Sequence, residues 1–298
     1  MSVLFLIIHR ESGYGRGSKI WKKVKKELEK RKVSFRSFYT EYPGHAEALA
    51  RQIATIQDYR LKTVIGIGGE GTINEIVNGL SSFDKIQMGF IYTGSRNKSL
   101  TNFSLSSDPK KAIKHLFQRW NAPLKGYYLG EYRVEGKSGK NYFFNRVGIG
   151  LDASILSQEK MVVKIKSDLP ILGHVRFIVG LLKVLWNYEL FSISLEIDQE
   201  QPLEFDSVWF IIVSNRSTTR DGNLHVLIIK EAKRLKLLPL LLLTKVRNKT
   251  KNEFIEELSC KEITVKTDSI RLVHADGDVI GESPVIIKIS ESHKACIL

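Results

Sequence analysis

Residues 66–74 read GIGGEGTIN. The preceding LKTVI carries the apolar, β-branched run of a buried strand, and the following EIVNGL has the spacing of a helix. Thr72-Ile73-Asn74-Glu75 fits a capping box, in which Thr72 accepts from the Glu75 N–H and the Glu75 side chain reaches back. This spacing predicts a helix beginning at Thr72, with Ile73, Ile76, Val77 and Leu80 as its buried stripe. The glycines then form the strand-to-helix turn. Glycine permits positive φ and close approach of a ligand to the backbone, and free N–H groups at a helix mouth attract anions. A tight turn with no ligand is the plainer alternative; four glycines in six residues weigh against it.

Gly66-x-Gly68-x-x-Gly71 also matches the dinucleotide fingerprint, but the next strand ends FIYTG, without the carboxylate that fingerprint wants. No glycine loop is followed by Lys-Ser or Lys-Thr, and no G-x-S-x-G elbow is present. Working outward, VLFLII, SFRSFY, TVIGIG and QMGFIY alternate with helical patterns as far as PKKAIKHLFQ. Such alternation predicts βαβ units around a mostly parallel sheet. After NAPLKG the segments become short, β-rich and separated by turn residues, as in an antiparallel sandwich. The expected fold is a three-layer α/β domain over 1–124 followed by an antiparallel β-sandwich domain over 125–298, its last residues returning to the first domain. PILGHVRFIVGLLKVLWN interrupts the second half, with Val175, Val179, Leu182 and Trp186 on one stripe, and reads as a packed helix rather than a membrane anchor.

The chain has 298 residues, is 43% hydrophobic and carries a net charge of +14. That charge implies an anionic partner without naming it. KIWKKVKKELEKRK at 19–32 reads as a surface helix burying Ile20, Val24 and Leu28, and the basic segment 230–251 as a core element with charged flanks or a lipid-facing patch. No apolar run is long enough to span a bilayer, and the apolar start reads as a strand, not a signal peptide. Two cysteines, Cys260 and Cys296, make no disulfide framework, so a reducing cytoplasm is expected. No zinc-site spacing occurs.

GGEGTINE at 68–75 resembles the G-G-D-G-T-x-N-E hallmark of the diacylglycerol kinase catalytic family, which includes bacterial lipid kinases and sphingosine kinases. Other matches follow in that family's order: HRESGYGRG (9–17), TEYPGHAEALA (40–50), TGSRN (93–97), FFNRVGIGLDASI (143–155), SNRSTTRDGNLHV and HADGD. The resemblance implies transfer of the γ-phosphoryl of ATP to a lipid hydroxyl such as that of diacylglycerol, with Mg²⁺, in phospholipid metabolism. It places nucleotide on Thr40, on Gly68, Gly69, Glu70, Gly71, Thr72, Ile73 and Asn74, and on Gly94 and Ser95, with Ser12 and Gly13 nearby. Glu70 belongs there only with a metal or water between it and phosphate. Asp276 or Asp278 would be the base, although DGD is otherwise an ordinary hairpin turn. Asp221, with carbonyls near Thr218 and Asn223, would hold a structural Mg²⁺. The implied partners are a lipid substrate at the membrane surface and anionic phospholipid, with a homodimer admitted and peripheral attachment from the cytoplasm.

The chain departs from the pattern: Glu70 replaces Asp, Lys98 replaces the Asp after Asn97, Arg96 replaces a small residue, His9-Arg10 replaces Asn-Pro, and Asp278 replaces Glu. The glycine-rich stretch before Asp221 is shortened to RSTTR. Arg96 and Lys98 contacting phosphate directly would restore function; otherwise the chain binds nucleotide or lipid without turnover. An NAD kinase shares the glycine loop, but GIGLDAS favours a lipid kinase. Charge alone would suggest nucleic acid, yet neither half has a matching motif.

Overall fold

The computed structural model describes residues 3–297 apart from 57–61, 84–85, 94–108, 120–124, 138, 165–169, 216–221, 235–236 and 238–252. The first half contains β1 (Val3–Ile8), α1 (Ser12–Lys30), β2 (Phe35–Tyr39), α2 (His45–Thr55), β3 (Lys62–Gly68), α3 (Glu70–Leu80), β4 (Ile86–Tyr92) and α4 (Pro109–Arg119). Its four strands are parallel, in the order β2-β1-β3-β4. Successive side chains of a strand point to opposite faces. Accordingly Leu4, Leu6 and Ile8 meet α1 and α4, while Val3, Phe5 and Ile7 meet α2 and α3. Both faces are covered, so β1 must be apolar at every position, which is why VLFLII does not alternate. In α1, Ile20, Trp21, Val24 and Leu28 are buried and the lysines face outward.

The second half runs β5 (Lys125–Val134), β6 (Asn141–Phe143), β7 (Arg146–Gly150), α5 (Leu151–Lys164), α6 (Pro170–Asn187), β8 (Phe191–Ile197), β9 (Leu203–Asn215), β10 (Leu224–Lys230), β11 (Ile255–Cys260), β12 (Glu262–Thr267), β13 (Leu272–Ala275), β14 (Asp278–Glu282) and β15 (Val285–Ile297). These strands pair antiparallel around a core that includes Val147, Ile149, Phe191, Leu195, Val213, Val226 and Val273. The chain is thus an α/β domain followed by an antiparallel β-sandwich. β15 joins the two: its first residues pair with β12 and β5, and its end lies parallel to β4, with Cys296 opposite Met88.

Two local readings are corrected. The helix after the glycine loop begins at Glu70, with Gly69 as its N-cap and no side-chain cap, so the Thr72–Glu75 box does not form. In α6, the stripe read as packed faces outward. Among its described side chains Leu181 and Leu185 are buried, Leu185 in a cluster that includes Leu151, Trp209, Phe210 and Ile229, while Val179, Leu182 and Trp186 are exposed. The helix is apolar on both sides, so periodicity alone could not choose between them. Val175's side chain lies outside the described residues.

Candidate active site

The glycine loop sits where β3 ends, and none of Gly66, Gly68, Gly69 and Gly71 has positive φ. The expectation of positive φ is therefore corrected: packing space is what these glycines supply inside the fold. A Cβ on Gly68 would stand 2.5 Å from Thr72 Cβ, and one on Gly66 2.7 Å from Ile76 Cδ1. One on Gly71 would stand 3.0 Å from Asp278 Oδ2, whereas one on Gly69 meets nothing within 4 Å. Packing closes three of the positions, and Gly69 opens onto solvent at the mouth of α3.

The turn after β1 is pinned beside this loop. Ser12 Oγ donates to the His9 carbonyl at 2.6 Å and accepts from Thr93 Oγ1 at 2.9 Å, while the Thr93 N–H donates to the Gly68 carbonyl at 2.9 Å. Gly13 backs onto Thr93, whose carbonyl oxygen would lie 2.2 Å from a Cβ. His9 Nδ1 and Thr72 Oγ1 are 3.2 Å apart and hydrogen-bonded. Arg10 stacks its guanidinium 3.7 Å from the Tyr39 ring centroid, and Trp21 Nε1 holds the Tyr39 hydroxyl at 3.1 Å. Between these parts lies a cleft of about 610 Å³, with His9, Arg10, Ser12 and Thr40 on one wall, Gly69, Gly71 and Thr72 on the other, and Asp278 reaching in from the second half. Ile73 is buried in the core and Asn74 turns away from the cleft, so neither lines it.

Glu75 does other work. Its carboxylate accepts from the N–H groups of Gly44 and Ala46 at 2.9 and 3.0 Å, at the start of α2. A negative group there satisfies orphan donors and complements the helix dipole. Glu75→Ala is expected to cost about 1–2 kcal/mol, read as a lowered denaturation midpoint; an unchanged midpoint would remove this role.

The DGD segment is both a hairpin turn and part of the site. Asp276 and Gly277 form the two-residue loop between β13 and β14, with φ of 45° and 86°. Paired positive φ is what an Asp-Gly loop accommodates. Asp276 is 2% exposed. Its Oδ2 accepts from the Phe144 N–H at 2.6 Å and Asn74 Nδ2 at 2.9 Å, and its Oδ1 from the Asn145 and Arg146 N–H groups, both at 2.9 Å. Burial pushes this carboxyl above its ordinary pKa, and the donors oppose that push. Asp278 instead faces the cleft. Its Oδ2 lies over Gly71, while Glu70 Oε2 would lie 3.5 Å from a Cβ on Gly277. Each acid therefore lies over the other's glycine.

This geometry accords with known sequences. Residues 3–126 match the diacylglycerol kinase catalytic domain model, and residues 145–293 match the YegS C-terminal NAD kinase beta sandwich-like domain model. The Bacillus subtilis protein "Putative lipid kinase YtlR" is 36% identical over 310 residues, covering 98% of each chain. The chain belongs to the diacylglycerol kinase family of lipid kinases. A ceramide kinase of Oryza sativa is 34% identical over 126 residues, 37% of this chain and 20% of that one. The crystal structure of a diacylglycerol kinase from Bacillus anthracis str. Sterne superposes with a TM-score of 0.68 over 99% of this chain and 96% of that one. At 17% identity, it shares the fold.

This family member also carries a partly buried cluster to which motif reading gave no role. His274 Nε2 and Asp152 Oδ2 are 2.8 Å apart, and Arg146 Nη1 lies 3.6 Å from the same oxygen. GIGLDAS holds the clue in its spacing. A Cβ on Gly148 would stand 2.2 Å from His274 Nε2, and Gly150, at φ 93°, turns the strand into α5 so that Asp152 falls in its first turn. Burial would raise the Asp152 carboxyl, but Arg146 and His274 outweigh it and hold it well below the usual range. Arg146 is held protonated by Asp152 despite its burial, with Glu70 and Asp276 adding to the attraction. It is thus a shared counter-charge between the cluster and the site. Because the folded pKa of Asp152 is depressed, its stabilisation is present above the unfolded value of about 3.9 and lost as pH falls through the folded one. Asp152→Asn is expected to lower stability at pH 7 and to flatten its decline between roughly pH 5 and 3. Denaturant melts across that range check both; an unaltered acid limb refutes the linkage.

Gly94, Ser95, Thr218 and Asp221, with Arg96 and Lys98, lie outside the described residues. Asn223 lines a separate groove of about 480 Å³ with Asp198 and Cys260.

Proposed function

We propose that this chain transfers the γ-phosphoryl group of ATP to the hydroxyl of diacylglycerol or a similar lipid, in phospholipid metabolism. The observation that carries the reading is Asp278 lining the cleft over Gly71, with Glu70 next to the same turn over Gly277. Gly69, Gly71 and Thr72 at the start of α3 present backbone suited to phosphate oxygens. Thr40 and Arg10 stand opposite, and the Arg10 guanidinium is pre-positioned by Tyr39. Ser12 and Gly13 hold this wall in place.

Two carboxylates beside a phosphate site suit Mg²⁺. Among the described residues, no three His, Cys, Asp or Glu side chains cluster as a metal cage. Mg²⁺ ordinarily takes only one or two carboxylates and leaves its other positions to water and substrate phosphates. Glu70 and Asp278 would hold it, and it would supply charge neutralisation. Asp278 lines the cleft, where it would take the proton of the lipid hydroxyl. Asp276, with two donors on each oxygen, serves to position Asp278 and Asn74.

Among the described residues no helix is long and apolar enough to cross a membrane. The net charge of +14 suits peripheral approach to an anionic lipid surface. Incubating the protein with labelled ATP, Mg²⁺ and mixed micelles of diacylglycerol is expected to yield labelled phospholipid. ATP binding without product would favour the reading of a relative that binds without turnover.

A further inference from the structure

The outward side of α6 belongs to no described core cluster. Val179 is 58% exposed, Leu182 39% and Trp186 65%. Spaced by three and four residues, they form one stripe on a helix held down from behind by Leu181 and Leu185. Large apolar side chains scattered singly over a surface need no explanation, but three aligned on one helix do.

The charges beside the stripe say what fits it. The eighteen residues of α6 include Arg176 and Lys183 and no carboxylate. Lys183 is exposed next to Leu182. From the start of the basic segment 230–251, Arg234 places its guanidinium 5.7 Å from the Trp186 ring centroid and 5.7 Å from that of Trp209. An exposed indole flanked by cations, with aliphatic side chains behind it, has the amphipathic chemistry that seats at the headgroup boundary of an anionic bilayer. A second copy of this chain would bring the same cations against themselves, and like charges oppose that pairing.

We infer that this face of α6 is the surface by which the protein docks on anionic membrane. The inference rests on the lipid-kinase reading and gives that site its source of substrate. α6 packs on α5, and α5 packs on β13 and on β14, the edge strand that begins with Asp278. A bilayer under α6 therefore lies on the side of the molecule from which α5 leads to the proposed catalytic carboxylate.

The test is flotation of the full chain with vesicles of phosphatidylglycerol and phosphatidylcholine, against phosphatidylcholine alone. Wild type is expected to float with the anionic vesicles, with a blue shift in tryptophan fluorescence. The double variant Leu182→Ser, Trp186→Ala is expected to bind roughly tenfold or more weakly, and Lys183→Glu about fivefold or more weakly. These exposed positions should leave the thermal midpoint near wild type. Phosphorylation of a short-chain substrate in micelles should persist in both variants, while phosphorylation of vesicle lipid falls. Equal vesicle binding by wild type and variants overturns the inference, as does wild type that floats with neither vesicle. If the double variant turns a dimer into a monomer and still binds vesicles, the face is a self-interface and the inference is wrong. Vesicle binding lost in the variants while wild type phosphorylates no lipid leaves the docking face standing and removes only the kinase reading.

Discussion

Asp278→Asn is expected to lower lipid phosphorylation by about 10²–10⁴-fold while leaving the fold and ATP binding largely intact. Asp278 is the residue of the DGD turn that borders the cleft, and it meets the glycine loop where Gly71 leaves room for it. The amide keeps the shape of the side chain but neither takes a proton nor offers a metal its charge. Glu70→Gln should show the same pattern, because the two acids lie over each other's glycines. Gly71→Ala should reproduce part of the loss with both acids retained, since its Cβ would stand 3.0 Å from Asp278 Oδ2 and displace it. Steady-state rates with micellar diacylglycerol, together with nucleotide binding by titration, make the measurement. Full activity in Asp278→Asn would remove this residue from the chemistry.

Asp276→Ala is expected to act on the fold, costing about 3–5 kcal/mol. The substitution leaves the N–H groups of Phe144, Asn145 and Arg146, and the Asn74 amide, without their buried acceptor. Each buried donor left unsatisfied costs about 1–3 kcal/mol, and partial relaxation keeps the total below the sum. The break would fall at the junction of the two halves, because Asn74 sits on α3 and the other three donors lead into β7. Neighbouring bonds reinforce that seam: Asn78 Nδ2 donates to the Tyr142 carbonyl at 2.8 Å, and the Tyr142 N–H donates back to Asn78 Oδ1 at 2.8 Å. Denaturant unfolding is the check. A near-native midpoint with activity lost would exchange the roles assigned to the two aspartates.

The two aspartates show where sequence reading stops. HADGD named both, and a turn was legible from Asp-Gly alone. Which carboxylate faces the cleft depended on partners more than a hundred residues away. The glycine loop was likewise legible as a candidate site, but positive φ was not the reason for its glycines: three of them answer to Thr72, Ile76 and Asp278. Thr72 and Glu75 matched a local cap, yet each had a stronger distant partner: His9 for one, the start of α2 for the other. Arg146, Asp152 and His274 lay inside matched segments that gave them no role, and only Gly148 and Gly150 hinted that something large stood close to the strand.

Local order along the chain decided a good deal by itself. Apolar runs without alternation dictated a strand covered on both faces, period-four stripes dictated amphipathic helices, and ordered motifs carried the family. These rest on forces acting between neighbours in sequence or between a whole face and water. Tertiary structure alone decided which acid is buried, which side of α6 meets solvent, and how β15 closes one sheet across both halves. Those outcomes turn on hydrogen bonds and packing between segments far apart in the chain, whose strength depends on burial that no local pattern records.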